Sequence, residues 1–306
     1  MLAPAGTDAQ TIAALWWVLF WTLTAVTGGV LVSWALAIRR ATRDSPPAAE
    51  RRLIAAVIGA SVTSLGVLAA LLGTSVAAER RLQDLPGSDP IAIEITGHRW
   101  WWEVRYWPDD PVRRVVSANE LHVPVGREVR LRLSSADVIH SFWVPAADGK
   151  VDLVPGRDNT LRFRIDQPGT WLGQCAEFCG VQHAYMRLPL IAQDSPSFED
   201  WLRSERAGGA QPETDDAARG RALFESDACV LCHTVGGTDA RGRVGPDLTH
   251  VGRRLFIAAG ARRHSSGTMQ EWIRDPQRVK PGNEMPVLPL SGEDVRLLTA
   301  YMEALR

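Results

Sequence analysis

Hydrophobic and polar positions are unevenly distributed along this chain. Thr11 to Ile38 and Leu53 to Ala78 contain no Asp, Glu, Lys or Arg, although charged residues make up 23% of the 306. Each run exceeds the roughly 20 apolar residues that a helix needs to cross a bilayer, so two transmembrane helices are predicted. Buried core helices, or a signal peptide for the first run, are the competing readings. Uncharged runs of this length are rare in soluble cores. No Lys or Arg precedes Arg39, so the basic n-region of a signal peptide is missing.

The connection between the two runs carries Arg39, Arg40, Arg43, Arg51 and Arg52, against Arg80 and Arg81 after the second run. By the positive-inside rule this loop is cytoplasmic and both termini lie outside. Trp16, Trp17 and Trp21 then fall at the outer interface and Trp34 at the inner one.

Beyond residue 90 the apolar period becomes two. Val129, Leu131 and Leu133 alternate with Arg130 and Arg132; Leu161, Phe163 and Ile165 alternate with Arg162 and Arg164. That is the signature of half-buried strands. With "WPDDP", "VPGRDN" and "DQPG" as turns, residues from about 91 to 192 are expected to form an antiparallel sandwich or barrel. Residues 203–216, "RSERAGGAQPETDD", lack periodicity and are predicted to be a flexible linker spanning roughly 20 Å. From Ala217 to Arg306 the pattern is one of short helices: "AARGRALFES", "SGTMQEWIRDP" and "SGEDVRLLTAYMEALR". Ser291 with Asp294 is placed to cap the last of these.

Composition adds two constraints. Net charge is −1 with no basic stripe, so nothing points to nucleic acid. All four cysteines, Cys175, Cys179, Cys229 and Cys232, fall on the outer side, where free thiols are normally oxidised. Two disulfides are therefore the simplest reading, but both pairs sit in motifs rich in His and Met, which favours cofactor binding.

The first motif is "GQCAEFCGVQHAYM", residues 173–186. Cys175, Cys179, His183 and Met186 can converge from one loop, and His140 in "SADVIHSFWVP" offers a second imidazole. Soft donors of this kind suit copper or zinc. A structural zinc on Cys175, Cys179, His183 and His140 would leave Met186 unused. A mononuclear blue-copper site has one thiolate, so here there is one cysteine too many. Two thiolates bridging two coppers, with one histidine for each, use every soft group.

The second motif, "CVLCH", reads as covalent c-type haem attachment through Cys229 and Cys232, with His233 as proximal ligand. A redox dithiol or a zinc half-site remains open on these five residues alone. Met285, in the Pro- and Gly-rich "KPGNEMPVLPL", is suited to be the second axial ligand, whereas Met269 and Met302 fall in helical patterns and are assigned to packing. His250 and His264 are expected at the solvent-exposed surface, with competition for the haem iron as the alternative reading of either.

Cys-x-Glu-x-Cys-x-x-x-His-x-x-Met, preceded by "DVIHSFWVP" and "DLVPGR", resembles subunit II of the haem-copper oxygen reductases. With "CVLCH" and its flanking helices resembling class I cytochrome c, the whole chain is similar to the caa type, in which the two are fused. The resemblance implies a multidomain membrane protein. It would comprise a tail and transmembrane hairpin (1–90), an all-β cupredoxin-like Greek-key domain (91–202), the linker (203–216) and an all-α cytochrome c domain (217–306).

By the same resemblance, His140, Cys175, Cys179, His183, Met186 and the backbone carbonyl of Glu177 hold a dinuclear copper A. The Glu177 side chain would reach a magnesium ion shared with subunit I. Trp100 in "GHRWWWEVRY" would be the electron-entry residue, and the Pro246 carbonyl would orient His233. Glu50 resembles a carboxylate at a proton-channel mouth, although a solvated helix-end charge is the simpler reading. The implied partners are subunit I with haem a and copper B, subunit III, an external cytochrome c or similar donor, and membrane lipid. The implied location is the bacterial cytoplasmic membrane with the large domains outside. The implied function is electron relay for the reduction of oxygen to water. A copper A nitric oxide reductase subunit, or a tethered redox carrier, would need the same two centres.

Overall fold

The computed structural model describes residues 3–40, 48–83 and 90–306. Arg43, most of the basic connection and the Glu50 side chain lie outside the described structure. Two helices open the chain, α1 (Thr7–Arg40) and α2 (Ala48–Gln83), both long and apolar enough to cross a membrane. In the first half of α1, Trp16 stacks on Phe20 at 5.2 Å and Trp17 on Trp21 at 6.4 Å. These helices form one unit, and residues 90–306 belong to a second.

Ten strands follow: β1 (Ile91–His98), β2 (Trp101–Tyr106), β3 (Val115–Ala118), β4 (Leu121–Pro124), β5 (Glu128–Ser135), β6 (His140–Trp143), β7 (Val151–Leu153), β8 (Asn159–Arg164), β9 (Gly169–Cys175) and β10 (Arg187–Gln193). They make two five-stranded sheets, β3-β2-β1-β5-β8 and β4-β10-β9-β6-β7. The period-two pattern has the expected result: Val129, Leu131 and Leu133 are fully buried between the sheets. Not all pairs are antiparallel. β1 runs parallel to β5, and β4 parallel to β10, so each sheet is mixed.

The uninterrupted run "IAIEITGHRWWWEVRY" is a hairpin, broken at Arg99 and Trp100. Its three tryptophans part company as alternation requires. Trp100 is buried in the turn and Trp102 in the sandwich core, while Trp101 stacks on His98 at 4.2 Å.

The predicted linker is shorter than its fourteen residues. A helix, α3 (Ser195–Arg206), runs into it, with the Asp194 side chain accepting from the Ser197 amide at 2.8 Å as N-cap and Pro196 in the first turn. Phe198 and Leu202 are buried, and Trp201 stacks on His122 at 4.2 Å, so α3 packs on the sandwich.

The last part is helical: α4 (Asp215–Ser226), the short α5 (Cys229–Cys232), α6 (Ser266–Arg274), α7 (Pro276–Val279) and α8 (Gly292–Ala304). α8 starts at the expected capping box, with the Ser291 amide donating to Asp294 at 2.8 Å and the Asp294 amide to Ser291 Oγ at 3.1 Å. α4 crosses α8 at Gly220, where a Cβ would lie 2.0 Å from the Leu297 carbonyl oxygen. Met269 and Met302 are buried in this second core, as their helical spacing suggested. His250 is not at the surface: it is 5% exposed, and its Nε2 lies 3.2 Å from the Ala207 carbonyl oxygen. His264 is half-buried, with Nδ1 2.8 Å from the Arg254 carbonyl oxygen. Backbone acceptors reached only in the folded chain hold both imidazoles inward.

Candidate metal centres

The β9–β10 loop leaves the sandwich at Cys175 and returns at Met186. It is closed on itself by the Cys175 amide donating to the Met186 carbonyl at 2.9 Å, and tied to β6 by the Ala176 amide donating to the Ser141 carbonyl at 2.9 Å. His140 opens β6 and is fully buried. These two segments bring the predicted soft donors together.

The Cys175 and Cys179 sulfurs are 3.7 Å apart. His140 Nδ1 lies 3.9 Å from Cys175 Sγ, and His183 Nδ1 lies 3.6 Å from Cys179 Sγ, so each thiol has its own imidazole. Met186 Sδ is 3.9 Å from Cys179 Sγ, and the Glu177 carbonyl oxygen is 3.2 Å from Cys175 Sγ. Ligand atoms of His140, Cys175 and Cys179 lie within 4.8 Å of one another, a group that His183 does not join. Donors around one tetrahedral zinc would all be about 3.3–3.8 Å apart. The arrangement is two-lobed, with the thiol pair in the middle, and it fits two ions better than one. The thiol of Cys175 is pulled well below its ordinary range, first by the hydrogen bond with Cys179 and then by His140.

Asp137, which was not singled out in the sequence, holds His140. Its Oδ1 lies 2.8 Å from His140 Nε2, which directs Nδ1 at the sulfurs. The same carboxylate accepts from the Arg99 amide at 2.7 Å. Gly97 stands behind the ring, where a Cβ would meet His140 Cδ2 at 2.8 Å. The signal was present in "DVIH", with Asp three residues before His. The Glu177 carboxylate is half-exposed, and Lys150 Nζ sits 3.4 Å from it.

In the helical part, Cys229, Cys232, His233 and Met285 line one largely apolar cavity of about 320 Å³. His233 Nδ1 lies 2.8 Å from the Pro246 carbonyl oxygen, which makes it the donor nitrogen and leaves Nε2 unprotonated for a metal. Burial lowers the His233 pKa and favours the same neutral form. Gly245 makes room for the ring: a Cβ there would lie 2.5 Å from His233 Cε1. Gln277 Nε2 donates to the Met285 carbonyl at 2.9 Å, and the Met285 amide donates to Asn283 Oδ1 at 2.8 Å, so the methionine loop is fastened. A flat apolar macrocycle joined to both cysteines and bound between His233 and Met285 suits these donors.

The two sites adjoin. Arg99 and Trp100, in the β1–β2 turn of the sandwich, also line the helical part's cavity. Trp100 reaches the other site too, since its Nε1 donates to the Cys179 carbonyl at 2.9 Å.

A two-sheet cupredoxin-like sandwich bearing a soft-donor loop, followed by a helical unit built around Cys-x-x-Cys-His, defines a subunit II-like chain fused to a cytochrome c domain. Comparison with known proteins agrees. The family "Cytochrome C oxidase subunit II, periplasmic domain" matches residues 108–194, and the family "Cytochrome c" matches residues 217–306. The chain is 38% identical to cytochrome c oxidase subunit 2 of Alkalihalophilus pseudofirmus over 77% of its own length and 67% of that protein. It is 30% identical to the Bacillus subtilis protein of the same name over 71% of its length and 63% of that protein. It thus spans about two thirds of the length of these relatives. Among solved structures, the periplasmic domain of subunit II of cytochrome oxidase of Bradyrhizobium japonicum is 30% identical, covering 40% of this chain and 97% of that one, with a TM-score of 0.37.

The chain belongs to the cytochrome c oxidase subunit 2 family, and its fused cytochrome c domain fits the caa type. Membership implies copper A in the first domain and haem c in the second.

Proposed function

We propose that this chain is the electron-entry subunit of a terminal oxidase. His140, Cys175, Cys179, His183, Met186 and the Glu177 carbonyl would hold copper A. Cys229 and Cys232 would carry the haem thioethers, with His233 and Met285 as axial ligands. When bound, these groups supply one-electron centres able to take electrons from an external cytochrome c or similar donor towards the haem-copper centre of subunit I, where oxygen is reduced to water.

The chain's own residues prepare both centres. Asp137 and Gly97 fix the His140 ring, and Pro246 and Gly245 fix that of His233, so neither ligand needs to reorganise. Trp100 is assigned to electron entry because it touches both sites. Subunits I and III and membrane lipid are the proposed neighbours, in a bacterial cytoplasmic membrane with the two domains outside. A magnesium ion at the subunit I interface would take the Glu177 carboxylate and displace its contact with Lys150.

The observation that carries this reading is the paired arrangement of sulfurs 3.7 Å apart with one imidazole on each. Metal analysis and electron paramagnetic resonance of the full chain, matured with haem and copper, test it. One covalent haem and two coppers sharing an unpaired electron are expected. A single copper, or a zinc that copper cannot replace, contradicts it.

A further inference from the structure

Lys280 belongs to the helical domain and is 2% exposed, yet among the described residues no carboxylate pairs with its Nζ. Its Nζ donates to three backbone carbonyls: Trp100 at 2.6 Å, Tyr185 at 2.9 Å and Ala258 at 3.1 Å. The first lies in the β1–β2 turn, the second beside Met186 in the β9–β10 loop, and the third in the helical domain itself. An ammonium has three donors, and here all three find acceptors, two of them across the domain boundary.

The surrounding backbone is shaped for the same contact. Ala258 and Ala259 are both left-handed, with φ of 51° and 53°, a conformation that alanine adopts only under constraint. The Ala258 carbonyl accepts from Lys280 and, at 3.3 Å, from the Ala261 amide, while the Ala259 carbonyl crosses the interface to accept from the Arg187 amide at 2.9 Å. Next to Lys280, the Pro281 carbonyl accepts from Gln182 Nε2 at 2.5 Å. Glu284, which precedes Met285, meets Arg99 at 3.1 Å.

We propose that Lys280 is a positioning residue that locks the haem domain onto the copper domain, so that electrons pass between them from one fixed arrangement with no docking step. This rests on the reading that the two sites hold haem and copper A. A tethered domain would visit the copper site by diffusion, whereas a locked one is always there. With both groups bound, the one electron given up by the haem would be taken up by the copper pair.

The test uses the full chain in its oxidase complex, with the haem reduced by a photoexcited ruthenium complex and copper reduction followed optically. In the unaltered protein the internal transfer rate should not change as glycerol raises viscosity. In Lys280→Met, which removes the donor to the Trp100 and Tyr185 carbonyls, both optical bands should remain. The transfer rate should fall by about tenfold or more and become viscosity-dependent, as expected when a buried polar tie is lost and the competent state is depopulated. Hydrogen exchange at the Arg187 amide should quicken. A Lys280→Met rate and Arg187 protection equal to those of the unaltered protein would overturn the proposal. If the variant does not accumulate, the unaltered protein decides: viscosity-independence supports the lock and viscosity-dependence refutes it. Absent haem or copper bands in the unaltered protein would instead refute the proposed function.

Discussion

The indole of Trp100 donates to the carbonyl oxygen of Cys179 at 2.9 Å, while the same residue forms part of the wall of the cavity that holds His233 and Met285. Trp100→Phe keeps a ring in the turn but removes the donor. Copper and haem content should be unchanged and stability reduced by about 1 kcal/mol, the worth of one hydrogen bond. Flash photoreduction should show slower electron arrival at copper. An unchanged rate would remove Trp100 from the path.

His140 is held from two sides, by Asp137 through Nε2 and by Gly97 against the ring. Asp137→Asn should weaken copper binding by about 10- to 100-fold, as loss of such outer partners generally does. Gly97→Ala should do at least as much, because the new Cβ needs the space of His140 Cδ2. Competition with a copper chelator measures both.

On the haem side, Met285→Leu should lower the haem potential, since a thioether ligand raises it. Potentiometric titration reads the change. Gly245→Ala should leave the thioether attachment intact and push the His233 ring, at a cost of about 1–3 kcal/mol from overpacking. Its optical spectrum should gain a high-spin component.

Burial raises the Asp148 carboxyl to about 6, although the Gly149 amide donates to it. The folded chain therefore binds this proton more tightly than the unfolded chain does. Below about pH 4 both states are protonated and there is no penalty. As pH rises through 6 the sandwich loses up to about 3 kcal/mol from this group. Asp148→Asn should flatten that part of the stability profile, measured by thermal denaturation between pH 4 and 7.

Local chemistry was the most legible part of the chain. Runs without charge gave α1 and α2, alternation gave β5 and β8, and the Ser291–Asp294 box gave the start of α8. The soft-donor loop and Cys-x-x-Cys-His were equally visible as motifs, because Cys175, Cys179, His183 and Met186 share one loop and Cys229, Cys232 and His233 lie within five residues. Helix α3 was hidden by a polar composition, although Asp194, Pro196 and the spacing of Phe198 and Leu202 marked it. Lys280 was not legible. Its acceptors Trp100 and Tyr185 lie 180 and 95 residues away, and no periodic pattern encodes a bond between domains. His250 was misread for the same reason, since its acceptor Ala207 belongs to the segment after α3.

The central claim is that electrons entering this chain are used to reduce oxygen. It is tested most directly by cyanide-sensitive oxygen uptake, supported by a reduced cytochrome donor, in the complex purified from native membranes through this chain. The account predicts uptake that is lost when Cys175 and Cys179 are both replaced by serine. A complex that keeps copper and haem c yet consumes no oxygen would contradict it, and would shift the role to nitric oxide reduction or to a free redox relay.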